Sequence, residues 1–370
     1  MLLHRIAFSS LRGLTPALAA EVLARVPSEK EFFDLPSGAL SAYMGFRNKL
    51  FEDAVRSQAL AAAGAEEVFV ERKGIRPLYF RDEAYPPRLL ECEDAPLMLY
   101  SYGDCSLDRD SYVIGIVGTR HATAYGDSFV NTLVRELRDA LDGRLVVVSG
   151  LAYGIDACAH KAALECGVPT VGVLAHGLNT IYPATHRDLA ARMVRAGGAL
   201  VTEYRSSETI HKGNFLARNR IVAGLSDCLL VVESDIRGGA LVTARLAADY
   251  SRDVFALPGR VSDRYSRGCN KLIADNVAQL VTSASEIIDH MRWPCKPKEG
   301  DQTSLFVAET PELSPEEQAV IATITRTGEA NTSELLVGTG LAMPRLMGLL
   351  IDMEFRNLIL AIPGGRYRLS

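Results

Sequence analysis

A chain of 370 residues exceeds one typical core, so two or three domains are expected, and 48% apolar with 23% charged residues is the composition of a folded protein. The formal net charge of -5 excludes a protein that coats nucleic acid with its whole surface, because phosphate binding needs clustered Lys and Arg; any such site must be local. Seven scattered cysteines, odd in number, suggest neither a zinc knuckle nor a disulfide framework, and no run reaches the roughly 18 uncharged apolar residues of a membrane span, so a reducing cytoplasm is expected.

Residues 1 to about 75 carry Ala- and Leu-rich helical patterns and no convincing strand. Within them "LRGLTPALAAEVLA" reads either as a helical hairpin of the kind that touches nucleic-acid backbones or as plain helical packing, which is preferred because one Gly between helices is a weak motif.

From residue 111 short β-rich runs alternate with helical patterns: "SYVIGIVGT" then 125–141, "LVVVSG" then 154–166, "TVGVLA" then 187–196. The rhythm continues through "ALVTE", "CLLVVE", "DVFALPG" and "QLV". Strands that are apolar throughout are buried on both faces, which predicts an α/β fold: a parallel sheet with helices on both sides.

After residue 291 a Pro-, Lys- and Gly-containing stretch reads as a linker. Beyond it Ser314 and Glu317 have capping-box spacing, two further helices follow, and "LILAIPGGRYRLS" reads as a hairpin turning at Gly364-Gly365. Helix, helix, helix, hairpin is the order of a winged helix. Its third helix offers Arg345 against Asp352 and Glu354, so duplex reading is unsupported and a protein contact is at least as well suited.

Three glycine turns lie between a strand and a helix: Gly118-Thr119-Arg120, Ser149-Gly150 and Gly238-Gly239. Such turns let backbone N–H groups and a helix N-terminus approach an anion, and Arg120 adds a fork matched to phosphate. Neither G-x-G-x-x-G nor a P-loop is present, so no dinucleotide or ATP cofactor is indicated. Open parallel sheets place ligands at the carboxyl ends of their strands, where these turns would converge.

"HKGNFLARNR" (211–220) sets Lys212, Arg218 and Arg220 around Phe215 without an acidic residue. That pattern suits single-stranded nucleic acid, with charges tracking the backbone and a base stacking on the ring. The alternative is that Phe215 is core and the arginines pair with carboxylates such as Glu203 or Glu233. Asp156 and His160, four apart on one helical face, read as an acid-base couple or, preferably, as a helix cap and a packed histidine.

Six ordered stretches resemble the DNA-processing protein A family, DprA or Smf: "YPPRLLECEDAPLMLYSYGD", "IGIVGTRHATAYG", "VVVSGLAYGIDACAHKAAL", "GLNTIYPATHRDL", "FLARNRIVAGLS" and "DVFALPGRVSD". Departures are Phe215-Leu216 for the family's Phe-Pro, Gly238-Gly239 for Ser-Gly, and Asn276-Val277-Ala278 for Gly-Ala. The resemblance implies an extended Rossmann-like domain (76–291), a small N-terminal helical domain of SAM or helix-hairpin-helix type (1–75), a linker (292–313) and a winged-helix-like domain (314–370). It implies sequence-independent binding of single-stranded DNA, delivery of that DNA to the recombinase RecA in natural transformation, and homodimers through the Rossmann domain. The implied DNA-facing residues are Gly118, Thr119, Arg120, Lys212, Phe215, Arg218 and Arg220, with Gly150 and Gly238 closing the floor; no residue is assigned to bond breaking and no metal or cofactor is called for.

The rival is a phosphoribohydrolase acting on a nucleoside monophosphate, a related Rossmann fold whose P-G-G-x-G-T-x-x-E loop overlaps Gly238, Gly239 and Thr243. Glycosidic cleavage needs a carboxylate beside the developing charge, and Thr243 is followed here by Ala244-Arg245-Leu246.

Overall fold

A computed structural model describes residues 1–141, 144–296, 313–327, 329–356, 358–362 and 366–369. The chain divides into two compact units, Met1–Lys296 and Pro297–Ser370. In the first unit five helices, α1 (Leu2–Ser9), α2 (Pro16–Arg25), α3 (Glu29–Asp34), α4 (Ser37–Met44) and α5 (Asp53–Lys73), precede β1 (Arg76–Tyr79), α6 (Pro87–Leu90) and β2 (Met98–Gly103). The repeating part follows as β3 (Tyr112–Gly118), α7 (Ala124–Ala140), β4 (Leu145–Ser149), α8 (Ile155–Glu165), β5 (Thr170–Val173), α9 (Arg187–Arg195) and β6 (Ala199–Thr202). It then continues through α10 (Lys212–Leu225), β7 (Cys228–Val232), α11 (Gly239–Asp249), β8 (Asp253–Ala256), α12 (Arg267–Ala274), β9 (Gln279–Leu280) and α13 (Ala284–Met291).

The nine strands form one sheet in the order β1-β2-β6-β5-β4-β3-β7-β8-β9. Strands β3 to β9 are mutually parallel, whereas β2 runs antiparallel to both β6 and β1. Successive residues of a strand point to opposite faces. Ile114, Ile116, Val147 and Leu230 therefore pack with Leu133 and Val134 of α7 and with Ala159 of α8. Val113, Val146, Val148 and Leu229 pack on the other side with Ile221 of α10 and Ala244 of α11. This is the parallel sheet covered on both sides that the continuous apolar runs predict, and the Rossmann-like architecture that the resemblance implies.

The amino-terminal helices join the same unit through specific contacts. Arg5 reaches Asp82 at 2.8 Å and lies 4.8 Å from the Tyr79 ring. Glu66 of α5 is buried and accepts from the Ser206 backbone N–H, at 3.0 and 2.9 Å to its two oxygens, and from the Ser206 hydroxyl at 2.5 Å. The helix hairpin of α1 and α2 turns through Gly13, whose φ of 88° is left-handed.

In the second unit α14 (Pro315–Thr327), β10 (Ala330–Asn331), α15 (Thr332–Thr339), α16 (Met343–Phe355), β11 (Ile359–Ile362) and β12 (Arg366–Leu369) enclose Val320, Leu335, Leu346, Leu350 and Ile359. The strands pair in the order β10-β12-β11. Ser314 and Glu317 form the anticipated capping box, with the Glu317 N–H 3.2 Å from Ser314 Oγ and the Ser314 N–H 2.7 Å from the Glu317 carboxylate. Arg345 is held by Glu316 at 2.7 Å. The expected turn at Gly364-Gly365 and most of the expected linker lie outside the described residues.

Candidate functional site

From β3 the chain builds β4, β5 and β6 on one side of the sheet and then returns to lay β7 against the other side of β3. The loops leaving β3 and β7 therefore part to opposite faces, and the crevice between them is where a doubly wound sheet holds ligands. A cleft of about 300 Å³ opens there. The loop after β3 lines it with Gly118, Thr119 and Arg120, and Gly150 contributes from the end of β4. Phe215 and Arg218 of α10 and Gly238 before α11 complete the wall. A cavity of about 390 Å³ beside β1 and β2 lies away from these strand ends, its rim crossed by the Arg76–Asp104 pair at 3.7 Å.

The three basic residues of 211–220 take three different positions. Residues two apart on a helix do not share a face. Arg218 points inward, 5% exposed, and donates through Nη1 to the carbonyls of Gly150 and Val173 at the ends of β4 and β5. Arg220 lies outside the cleft lining, paired with Glu203 and 3.9 Å from Asp94. Lys212, the first residue of α10, is exposed beyond the cleft lining and makes no ion pair among the described residues. The carboxylate partner of Arg220 is the one spacing suggested. Glu233, the other candidate, instead accepts from the Thr123 N–H at 2.9 Å and from the Thr123 hydroxyl.

That last contact changes the electrostatic reading of the first turn. The N-terminus of α7, expected to attract an anion, already holds the Glu233 carboxylate and the Thr123 side-chain cap. The start of α11 is different: Gly238 supplies no side-chain cap, the first turn has no acid, and although the Leu241 N–H donates to the Gly238 carbonyl at 3.1 Å, the Gly239 and Ala240 N–H groups have no partner among the described residues and are left for water or a ligand.

Two glycines are explained by close approach. A Cβ on Gly150 would stand 2.5 Å from Arg218 Nη1, and one on Gly154 (φ 75°) would stand 2.2 Å from the Thr119 carbonyl. These positions therefore let loops and a buried guanidinium meet.

At the floor, burial raises the Asp156 carboxyl above its usual range, opposed by Arg218 and by N–H donors; Ala152 N is 3.2 Å from its Oδ2. Burial lowers Arg218 in turn, opposed by Asp156. His160 is fully buried with Nδ1 2.7 Å from Thr170 Oγ, whose hydroxyl donates to the Val147 carbonyl at 2.9 Å, so the imidazole supplies the proton of the first contact. Burial first, then the neighbouring His186 and Arg218, push its pKa down to about 3. His160 is the packed histidine expected, whereas Asp156 does not cap the helix: it lies inside α8 after the Gly154 N-cap and accepts from the turn before it.

The cleft rim is aromatic. The Arg120 guanidinium lies 6.0 Å from the centroid of Phe215, which packs edge-on against Tyr182 at 5.6 Å. Tyr182 is 50% exposed, and Tyr153, 46% exposed, meets His186 at 5.0 Å. Toward β8, across β3 from the loop after β5 that carries Tyr182, His121 stacks near-parallel on Tyr265 at 6.0 Å. Sequence reasoning missed these rings beyond Phe215; for His121, Tyr153 and Tyr182 the available signal was a Tyr or His directly beside a glycine turn or Pro, in "TRH", "AYG" and "IYP".

The carboxylates lining the cleft are Asp156 and Asp235. Asp235 is held by Arg264 at 2.7 Å and Arg267 at 3.5 Å, and the Arg264 hydrogen bond, with the Ile236 N–H, keeps its pKa below the usual range. Thr243 is buried on α11. Among the described residues no three His, Cys, Asp or Glu side chains gather as a metal site, and no single helix is long and apolar enough to cross a membrane.

Residues 76–292 match the family described as DNA recombination-mediator protein A. Protein Smf of Escherichia coli is 36% identical over 78% of this chain and 75% of its own length, and DNA processing protein DprA of Bacillus subtilis is 34% identical over 67% and 86%. The X-ray structure of DNA processing protein A from Streptococcus pneumoniae superposes with a TM-score of 0.62 at 32% identity, covering 78% of this chain and 96% of that one. The Helicobacter pylori protein, described for its single-stranded DNA binding mode, superposes with a TM-score of 0.52 at 31% identity over 59% of this chain and 95% of its own.

Proposed function

This chain belongs to the DNA recombination-mediator protein A family, and from that premise we propose that it binds single-stranded DNA without base specificity in the cleft at the ends of β3, β4 and β7. The observation that carries this reading is the exposed Arg120 guanidinium set over the Phe215 ring beside the uncapped start of α11. A phosphate takes the charge and the N–H groups, while a base stacks on the ring, an interaction every base can make. Gly118, Thr119, Gly150 and Gly238 keep the backbone close to the strand. Lys212 meets the next phosphate beyond the rim. Arg218 and Arg220 serve from within, one fixing the floor and the other fixing α10.

Delivery of the bound strand to RecA during transformation, a homodimer made through the Rossmann domain, a winged-helix assignment for the last domain and a cytoplasmic setting are further parts of this proposal. They rest on family membership. The hydrolase alternative lacks support, because Thr243 is followed by Ala244-Arg245-Leu246, with no carboxylate at the position its loop requires, and Asp235 is engaged with two arginines.

The test is anisotropy of a labelled oligothymidine in a salt series, with duplex and a nucleoside monophosphate as competitors. Arg120→Glu should weaken binding and flatten the log K against log salt slope by about 0.7 for the lost phosphate contact. Phe215→Ala should weaken binding with little change of slope. Unchanged affinity in both, or efficient displacement by the monophosphate, would refute the reading.

A further inference from the structure

The loop after β3 sends consecutive side chains to opposite walls of the cleft. Arg120 goes to Phe215, and His121, which lines the same cleft, goes to Tyr265. The second wall repeats the composition of the first: two rings at 6.0 Å and 23°, with the Arg264 guanidinium 5.7 Å from the Tyr265 centroid. Offset near-parallel stacking of this kind leaves an exposed π face on His121 at the cleft.

The second wall is held rigidly from behind. Tyr265 accepts from the Ser234 N–H through its carbonyl, and Arg264 is anchored by Asp235 at 2.7 Å. Asn270 clamps the start of the same loop, accepting from the Gly259 N–H at 3.2 Å and donating to its carbonyl at 2.9 Å. A ring fixed in this way loses little freedom when a base stacks on it. Asp235, the acid that lines the cleft beside this wall, is paired with Arg264 and Arg267, so it does not repel phosphate there.

Building on the single-strand reading, we propose that His121 and Tyr265 form a second base-stacking platform, so that the strand crosses the cleft with one base on Phe215 and Tyr182, a phosphate at Arg120 and the start of α11, and a following base on His121 and Tyr265. The cleft then selects single strands by geometry. Two bases splayed to opposite walls cannot remain stacked in a duplex.

The experiment uses the full chain and oligothymidine carrying 5-iododeoxyuridine, which crosslinks to adjacent aromatic side chains on irradiation, with the sites mapped by peptide mass spectrometry. Crosslinks are expected both at Tyr182 or Phe215 and at His121 or Tyr265. In parallel, His121→Ala and Tyr265→Ala should each weaken oligothymidine binding by roughly 5- to 100-fold, and Tyr265→Phe, which keeps the ring, should bind as the wild type does. Failure of the wild-type protein to bind oligothymidine would overturn the single-strand reading together with this one. Binding with crosslinks confined to Tyr182 or Phe215, or with undiminished affinity in both alanine variants, would overturn the second platform alone.

Discussion

Replacing Arg218 with Met keeps most of the side-chain volume and removes the guanidinium. Two buried carbonyls, Gly150 and Val173, then lose a charged donor, and Asp156 loses the cation that favours its ionised form. Hydrogen bonds to charged groups are worth about 1.5–3 kcal/mol each, so the two together place the loss at about 3–6 kcal/mol. Against a typical stability of about 5–15 kcal/mol that is a large fraction. The protein's one tryptophan, Trp293, is buried against Tyr112 at 5.3 Å in the core beneath α7, so its fluorescence in a urea titration reports the first unit. Adding Asp156→Asn should recover part of the loss, because the orphaned carboxyl is then neutral. A destabilisation below about 1 kcal/mol, accompanied by lost DNA binding, would mean that Arg218 meets the ligand rather than the floor.

Three further outcomes are expected. Because His160 titrates lower in the folded state than the ordinary 6.5, the unfolded chain binds the extra proton between about pH 6.5 and 3, so stability is full above that window and falls as pH drops through it. His160→Gln should reduce the pH slope of the urea-derived stability by about 1.4 kcal/mol per pH unit at pH 5–5.5; buried His176, shifted in the same direction, leaves a residual slope. Glu66→Ala should cost about 1–3 kcal/mol and speed hydrogen exchange at Ser206, with Glu66→Gln intermediate; unchanged exchange would contradict the latch. Gly150→Ala should perturb the cleft floor through the 2.5 Å approach to Arg218, seen as a lowered unfolding midpoint with Arg120 untouched; a wild-type midpoint would show that the guanidinium can yield.

The parallel sheet was legible because its strands are buried on both faces, and runs such as "LVVVS" and "CLLVV" have no other use in a polar solvent. The edge pair β1 and β2 was not legible, since β2 joins β6 antiparallel and β1 joins β2 antiparallel, without a βα repeat to announce them. The glycine turns were located correctly, yet the role of the first helix start was not. Glu233 stands 110 positions from Thr123, and only the sheet order brings that carboxylate to α7. In "HKGNFLARNR" the chain shows the charges but not their direction, which the helical period decides by turning Arg218 inward and Arg220 to Glu203.

The seam at Glu66 and Ser206 bears on how such chains can be recombined. A cut near residue 75 falls at a composition change, but it removes the acceptor for Ser206 and the cation beside Asp82 and Tyr79. The amino-terminal helices are therefore matched to the segment after β6, the same segment that leads into Lys212 and Phe215. A graft of helices from a relative would need an acid at the position of Glu66 and a small hydroxyl at that of Ser206, so the two segments are constrained to change together even though 140 positions separate them.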